Sequence, residues 1–209
     1  ARALSLGVDN PPPQRKTAHS MIPSICLYCG SRKGRDPAHA DAARRAGTAI
    51  ARAGYRLVYG AGDIGLMGEA ATAALAAGGQ VMGVIPRHLL EWEMGKRDIQ
   101  SLIVTETMHE RKKLMLGNSE AVIALPGGPG TLDELVEVLT WRHLGLHEKP
   151  CMLVDVKGYW QPFIHLLEHM DREGFVGAGF LGYFGVVETP EEAVDSLRAA
   201  LSRRTASAE

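Results

Sequence analysis

Short apolar runs alternate along this chain with longer segments of helical spacing, and no two runs are joined by the turn chemistry of a hairpin. That alternation leaves few architectures. Tyr55 to Tyr59 (YRLVY), Ser101 to Thr105 (SLIVT), Ala121 to Leu125 (AVIAL) and Cys151 to Val156 (CMLVDV) are almost continuously apolar or β-branched, as strands buried on both faces are. Ile22 to Cys29, Val81 to Ile85 and Phe184 to Glu188 read the same way. Strands that follow one another through helices pair in parallel, and a parallel sheet must be covered on both sides. The prediction is an α/β fold: a single domain over residues 21–203, built as a doubly wound, Rossmann-like parallel sheet with helices on both faces. A chain of 209 residues supplies one such core.

The flanks and the helix starts are also written locally. Residues 1–20 are polar, contain Pro11-Pro12-Pro13 and show no period, which predicts a flexible extension. Fraying is expected from Ser202, with residues 204–209 as a loose tail. Asp36-Pro37 opens an alanine-rich helix to about Ala53, Thr107 and Glu110 have capping-box spacing, and Thr189-Pro190-Glu191-Glu192 combines a capping box with proline at the first helical position. Arg87 to Gln100 has no period and reads as a lid or interface loop. Gly174 to Tyr183 reads as an ordered loop, because Phe175, Phe180 and Leu181 favour burial.

Charge and cysteine usage narrow the function. With 23 Lys+Arg against 24 Asp+Glu the formal net charge is −1, so no global basic field exists to hold nucleic acid. No apolar run approaches a membrane span, and the N-terminus lacks the apolar core of a signal peptide; the expectation is a soluble cytoplasmic protein with no membrane partner. Cys26 and Cys29 form a C-x-x-C, but inside an apolar strand rather than at a helix N-terminus, so buried thiols are expected and a redox pair is not. No histidine pair is spaced to complete a zinc site with Cys26. The expectation is no metal.

Two glycine-rich junctions carry the chemistry. Pro126 to Glu134 (PGGPGTLDE) lies between a strand and a helix, where close backbone approach and the unpaired N–H groups of a helix start make an anion site. Glu134 follows as a candidate catalytic carboxylate, and Thr131-x-x-Glu134 can equally be a capping box. On the preceding helix, Met108, Arg111, Lys112 and Met115 share one stripe. Two cations in a stripe that should be apolar are either snorkelling side chains or the border of a pocket or interface holding an anion. Gly60 to Gly65 (GAGDIG) has the G-x-G-x-x-G spacing of a dinucleotide fingerprint, but the next strand ends in Pro86-Arg87 without the expected acid. NAD is thereby disfavoured, and NADP, with Arg87 meeting a 2′-phosphate, stays open as a minor alternative. Otherwise this loop is a second close-approach turn on the ligand edge, beside the basic loop of Arg32, Lys33 and Arg35.

Four separated segments, CGS at Cys29 to Ser31, LVYGAGDIGLMG at Leu57 to Gly68, MHERK at Met108 to Lys112 and PGGPGTLDE at Pro126 to Glu134, together resemble the LONELY GUY (LOG) family of cytokinin-activating phosphoribohydrolases, also labelled "possible lysine decarboxylase". The resemblance spans roughly Ile25 to Glu188. It implies a hydrolase that cleaves the N-glycosidic bond of an adenosine 5′-monophosphate, typically N6-substituted, to free base and ribose 5-phosphate without a cofactor. It implies Arg111 and Glu134 as catalytic residues and Ser31, Gly62, Lys112, Gly127, Gly128, Gly130 and Thr131 as substrate-binding ones. It further implies a homodimer or higher homo-oligomer with the site near the interface. GSRKG replaces the GSS common in the family, GAG replaces a glycine triplet, and Pro129 fills the variable loop position. No lysine stands in a pyridoxal phosphate context, so the decarboxylase label carries little weight. The rival readings are a nucleotide-binding module without turnover and an NADP oxidoreductase.

Overall fold

The computed structural model describes residues 22–90 and 99–206. The expectations for residues 1–20, for residues 91–98 of the lid-like segment and for the last three positions lie outside the described residues.

In chain order the elements are β1 (Ser24–Tyr28), α1 (Pro37–Arg52), β2 (Arg56–Tyr59), α2 (Gly65–Ala76), β3 (Val81–Pro86), α3 (Arg87–Leu90), β4 (Ser101–Thr105), α4 (Met108–Gly117), β5 (Ala121–Ala124), α5 (Pro129–His143), β6 (Cys151–Val154), α6 (Gln161–Arg172), β7 (Gly185–Val187) and α7 (Pro190–Ala206). The strands form one parallel sheet in the order β4-β3-β2-β1-β5-β6-β7. The chain walks outward from β1 to β4, then returns to the other side of β1 with β5. Such a reversal opens a crevice beyond the carboxyl ends of the two central strands, where α/β sheets bind their ligands. Tyr28 opposes Ala124 at the end of that register, and just beyond it the Gly30 N–H donates to the Pro126 carbonyl at 3.1 Å.

Pleating sends Ile25, Leu27 and Cys29 to one face of β1 and Cys26 and Tyr28 to the other. The first face is covered by α1, α2 and α7, the second by α4, α5 and α6, which makes the predicted doubly wound sandwich. Cys26 and Cys29 therefore point apart. Both are free and buried, and desolvation pushes both thiols far above the ordinary cysteine range, the opposite of what redox chemistry needs.

Local signals set the helix starts at α1, α4 and α7. Asp36 accepts the Ala38 N–H at 2.9 Å with Pro37 at the first helical position. Thr107 and Glu110 make the reciprocal capping box, and Thr189 and Glu192 make another. Three expectations are corrected. The last helix continues past Ser202 to Ala206, because Leu201 packs on the core and Arg204 donates to the Glu148 carbonyl at 2.7 Å. Phe175 is 84% exposed, although Phe180 is buried. Gly174, at positive φ, ends α6 in a reversal in which the Phe175 N–H returns to the Met170 carbonyl at 2.9 Å, and that turn leaves the ring facing solvent. The third correction concerns α5 and the site itself.

Candidate functional site

The helix α5 begins earlier than capping logic predicts. Its N-cap is Gly128, with extended backbone and no capping side chain, and Pro129 occupies the first helical position. Thr131 is then the third helical residue and Glu134 the sixth, so the Thr131-x-x-Glu134 capping box does not exist. The rival explanation for Glu134 goes with it. Because the cap is a glycine, the N–H groups of the first turn are served by no capping side chain, and Gly128, Gly130 and Thr131 line a cavity. Gly127 is needed for a different reason: a Cβ there would stand 2.1 Å from the Thr131 hydroxyl oxygen. The Thr131 side chain is folded under the loop and buried.

Glu134 is 7% exposed, and so is Arg111 on α4. The Arg111 Nη1 lies 3.4 Å from the Glu134 Oε1. Arg111 does not snorkel. Its Nε donates to the Val84 carbonyl at 3.1 Å and its Nη2 to the Gly60 carbonyl at 3.2 Å, so the guanidinium ties the ends of β2 and β3 to the carboxylate on α5. A Cβ at Gly60 would fall 2.0 Å from Nη2, which explains one glycine of the G-x-G-x-x-G. Gly65 explains another: its Cβ would meet the Ser31 carbonyl oxygen at 2.2 Å. These glycines serve Arg111 and the loop after β1. Arg87, the residue held open for a 2′-phosphate, pairs with Glu106 at 3.0 Å.

Lys112, one residue on, has a separate fate. Its ammonium is held by Glu137 at 2.8 Å and Asp133 at 3.0 Å, both on α5. Burial alone would depress the lysine, but the hydrogen bonds it donates to Glu137 and Asp133 outweigh burial and hold the pKa above its ordinary value. It clamps α4 to α5 and does not line the cavity around Arg111 and Glu134.

That cavity, about 250 Å³, is bounded by Ser31, Gly128, Gly130 and Thr131 at one end and by Arg111 and Glu134 at its floor. Met67, Leu89, Met108 and Met115 form an apolar wall, and Cys29 contributes to the floor. Across Ser31, Gly128 and Pro129 it meets a second recess of about 520 Å³, walled by Gly127, Arg32, Lys33, His39 and Tyr159. The larger recess has the volume of a small-molecule site, and the smaller cavity adjoins it at these three residues. Of the residues singled out from sequence, Arg111, Glu134, Ser31, Gly127, Gly128, Gly130 and Thr131 converge here. Gly62 is buried in the loop after β2 and lines neither space. Among the described residues, no group of His, Cys, Asp and Glu could hold a metal ion.

Sequence reasoning placed Gly60 in a close-approach turn without its partner Arg111, and it missed Leu89 in the apolar wall and Tyr159. A glycine ending an apolar strand marks a close backbone approach but does not say which residue approaches. Tyr159, whose hydroxyl donates to the Gly127 carbonyl, carried no signal, since the contact joins loops 32 residues apart.

Comparison with known proteins shows the family. A family model described as "Possible lysine decarboxylase" matches residues 67–197. A cytokinin riboside 5′-monophosphate phosphoribohydrolase of Rhodococcoides fascians is 43% identical over 176 residues, 84% of this chain and 89% of the relative. The cytokinin riboside 5′-monophosphate phosphoribohydrolase LOG of Oryza sativa subsp. japonica is 45% identical over 152 residues, 73% of this chain but 63% of the rice protein. Among solved structures, the Moco carrier protein of Chlamydomonas reinhardtii superposes with a TM-score of 0.68 at 23% identity, covering 87% of this chain and 98% of that one. That likeness shows a shared fold.

Proposed function

This chain belongs to the LOG family, matched by the possible lysine decarboxylase model and by cytokinin riboside 5′-monophosphate phosphoribohydrolases at 43% and 45% identity, and from that premise we propose how it hydrolyses a nucleoside 5′-monophosphate to free base and ribose 5-phosphate. The observation that carries the reading is Glu134: a carboxylate 7% exposed, 3.4 Å from an equally buried guanidinium, at the floor of a cavity whose rim is a helix N-terminus.

The 5′-phosphate sits on the N–H groups of the first turn of α5, with the Thr131 hydroxyl beside it, where the unpaired donors and the helix dipole favour an anion. Ser31 flanks the same end. The ribose then lies over Glu134. Cleavage passes through a ribosyl cation, and a nearby carboxylate both offsets that positive charge and takes the proton of the attacking water. The water oxygen bonds to C1′ as the C1′–N9 bond breaks; the purine leaves with the bonding pair and takes up a proton from solvent, and Glu134 returns to solvent the proton it took from the water, so that one water is consumed and the carboxylate is regenerated. Arg111, held by the Val84 and Gly60 carbonyls, fixes the carboxylate's orientation. Met67, Leu89, Met108 and Met115 offer an apolar surface for the purine and for an apolar N6 substituent. The decarboxylase wording of the family model finds no lysine at this floor: Lys112 is committed to Asp133 and Glu137.

We infer a homodimer with the site beside the interface. Pro129, Leu132, Val136 and Thr140 form a helical stripe on α5 with Leu132 and Val136 40% and 42% exposed, next to the catalytic loop and suited to a second copy. The three free thiols fit a reducing cytoplasm, and no helix among the described residues is long and apolar enough to cross a membrane. The deciding experiment incubates the protein with AMP and with N6-isopentenyl-AMP and measures released base. Release from either supports hydrolysis, and the ratio separates an AMP nucleosidase from a cytokinin-activating enzyme. Saturable binding of both without any released base would make the protein a nucleotide-binding module instead.

A further inference from the structure

Tyr159 lies outside every motif discussed above, yet it touches the anion loop. It follows a turn at Val156–Gly158 in which Lys157 adopts positive φ, a conformation that a non-glycine residue holds only when its surroundings enforce it. The surroundings do so here. Lys157 pairs with Asp36 in the loop after β1 at 2.7 Å, and the Asp155 side chain accepts the Trp160 N–H at 2.6 Å. The Tyr159 ring packs edge-on between Trp160, at a centroid distance of 5.3 Å, and His39 at 5.7 Å. So braced, its hydroxyl donates to the Gly127 carbonyl.

That carbonyl belongs to the peptide joining Gly127 to Gly128. A peptide between two glycines has no Cβ on either side to bias its plane, so its two orientations lie close in energy and an outside contact decides between them. In a trans peptide the C=O and the following N–H point in opposite directions. Holding the Gly127 oxygen toward Tyr159 therefore turns the Gly128 N–H away from it. Gly128 is the N-cap of α5 and borders both the cavity and the recess.

We propose that the Tyr159 hydroxyl selects this orientation of the Gly127-Gly128 peptide and so aims the Gly128 N–H at the substrate 5′-phosphate, making Tyr159 a positioning residue for the hydrolysis. The inference rests on the phosphate reading of the loop given above. Tyr159 also walls the larger recess, but the hydroxyl and the ring act separately and can be separated by mutation.

Tyr159→Phe keeps the ring contacts and removes the donor. With AMP as substrate, KM should rise about fivefold to tenfold, as loss of one hydrogen bond to an anion site allows. The kcat should stay within about twofold, because the phosphate is held alike in ground and transition states. Inhibition by ribose 5-phosphate should weaken by the same factor, and turnover of adenosine, which has no phosphate, should not change. An unchanged KM for AMP with unchanged ribose 5-phosphate inhibition would overturn the proposal, as would equal losses on AMP and adenosine or a fall confined to melting temperature. Should the wild-type protein release no base, the hydrolase reading fails by itself. Calorimetric titration with ribose 5-phosphate then still decides: weaker binding to Tyr159→Phe sustains the role in the anion loop, and equal binding by both proteins, or by neither, overturns it.

Discussion

The two helical layers of this fold bury different things. On one face, α1 and α2 close on each other through alanines: Ala43, Ala46, Ala70, Ala71 and Ala74 are fully buried, and a Cβ on Gly47 would fall 2.0 Å from the Ala70 carbonyl oxygen. On the other, α4 and α5 meet around Arg111, Lys112 and Glu134, each less than a tenth exposed. The alanine layer is apolar and closely packed. Burying an ion costs several kcal/mol unless a partner and further hydrogen bonds compensate it, and such a pair seldom stabilises more than apolar residues of the same shape. The comparison therefore teaches where this chain buries charge at a cost in stability. Both layers pack apolar residues on the sheet, and the second also holds a charge constellation in place.

Glu134→Gln should test the charged layer most sharply. Base release from AMP is expected to fall by about 10²- to 10⁴-fold in kcat, well beyond any loss of folded protein: the amide keeps the shape, while the buried Arg111 guanidinium loses its counter-charge and the melting temperature falls. Near-normal turnover would remove it from the mechanism. Arg111→Ala comes next, with a stability loss of about 3–5 kcal/mol in denaturant titration, because it removes the counter-charge of a buried carboxylate and the donor to two carbonyls. The double variant Arg111→Met, Glu134→Leu should recover most of that stability while remaining inactive; failure to recover would mean that the pair is a structural requirement of the layer.

Gly47→Val tests the alanine layer. Overpacking there should cost about 1–3 kcal/mol, with activity per folded molecule unchanged, and a specific loss of activity would show that the layers are coupled. The smallest effect belongs to Lys112→Met, about 1 kcal/mol because Asp133 is solvent-exposed. Its pH dependence has a definite sign. The folded-state pKa is raised above the ordinary 10.5, so the clamp contributes fully below pH 10.5 and is lost as pH climbs through the higher folded value. Wild type and variant should converge in stability at that alkaline end, and a difference that persists unchanged would assign it to packing.

Much of the fold is legible in the sequence because its signals are local. Apolar runs, Asp36-Pro37, Thr107 with Glu110 and Thr189 with Glu192 each act within a few residues, and each acts as read. The PGGPGT loop is legible for the same reason. What misled was also local: Thr131-x-x-Glu134 has the spacing of a capping box, but Gly128 and Pro129 start the helix sooner and leave Glu134 free of that task. At Arg111 and Lys112 the stripe pattern registered two misplaced cations without saying that they differ.

By itself, then, the sequence determined the parallel α/β sandwich, the glycine loop at its switch point and the identity of Arg111 and Glu134 as residues out of keeping with a plain core. Only the tertiary structure decided that Arg111 turns inward to Val84, Gly60 and Glu134, that Lys112 turns to Asp133 and Glu137, and that Tyr159 holds the loop. Periodicity states which face of a helix a residue occupies. What stands opposite that face is supplied by strands and loops distant in the chain, and a buried charge takes its role from those partners.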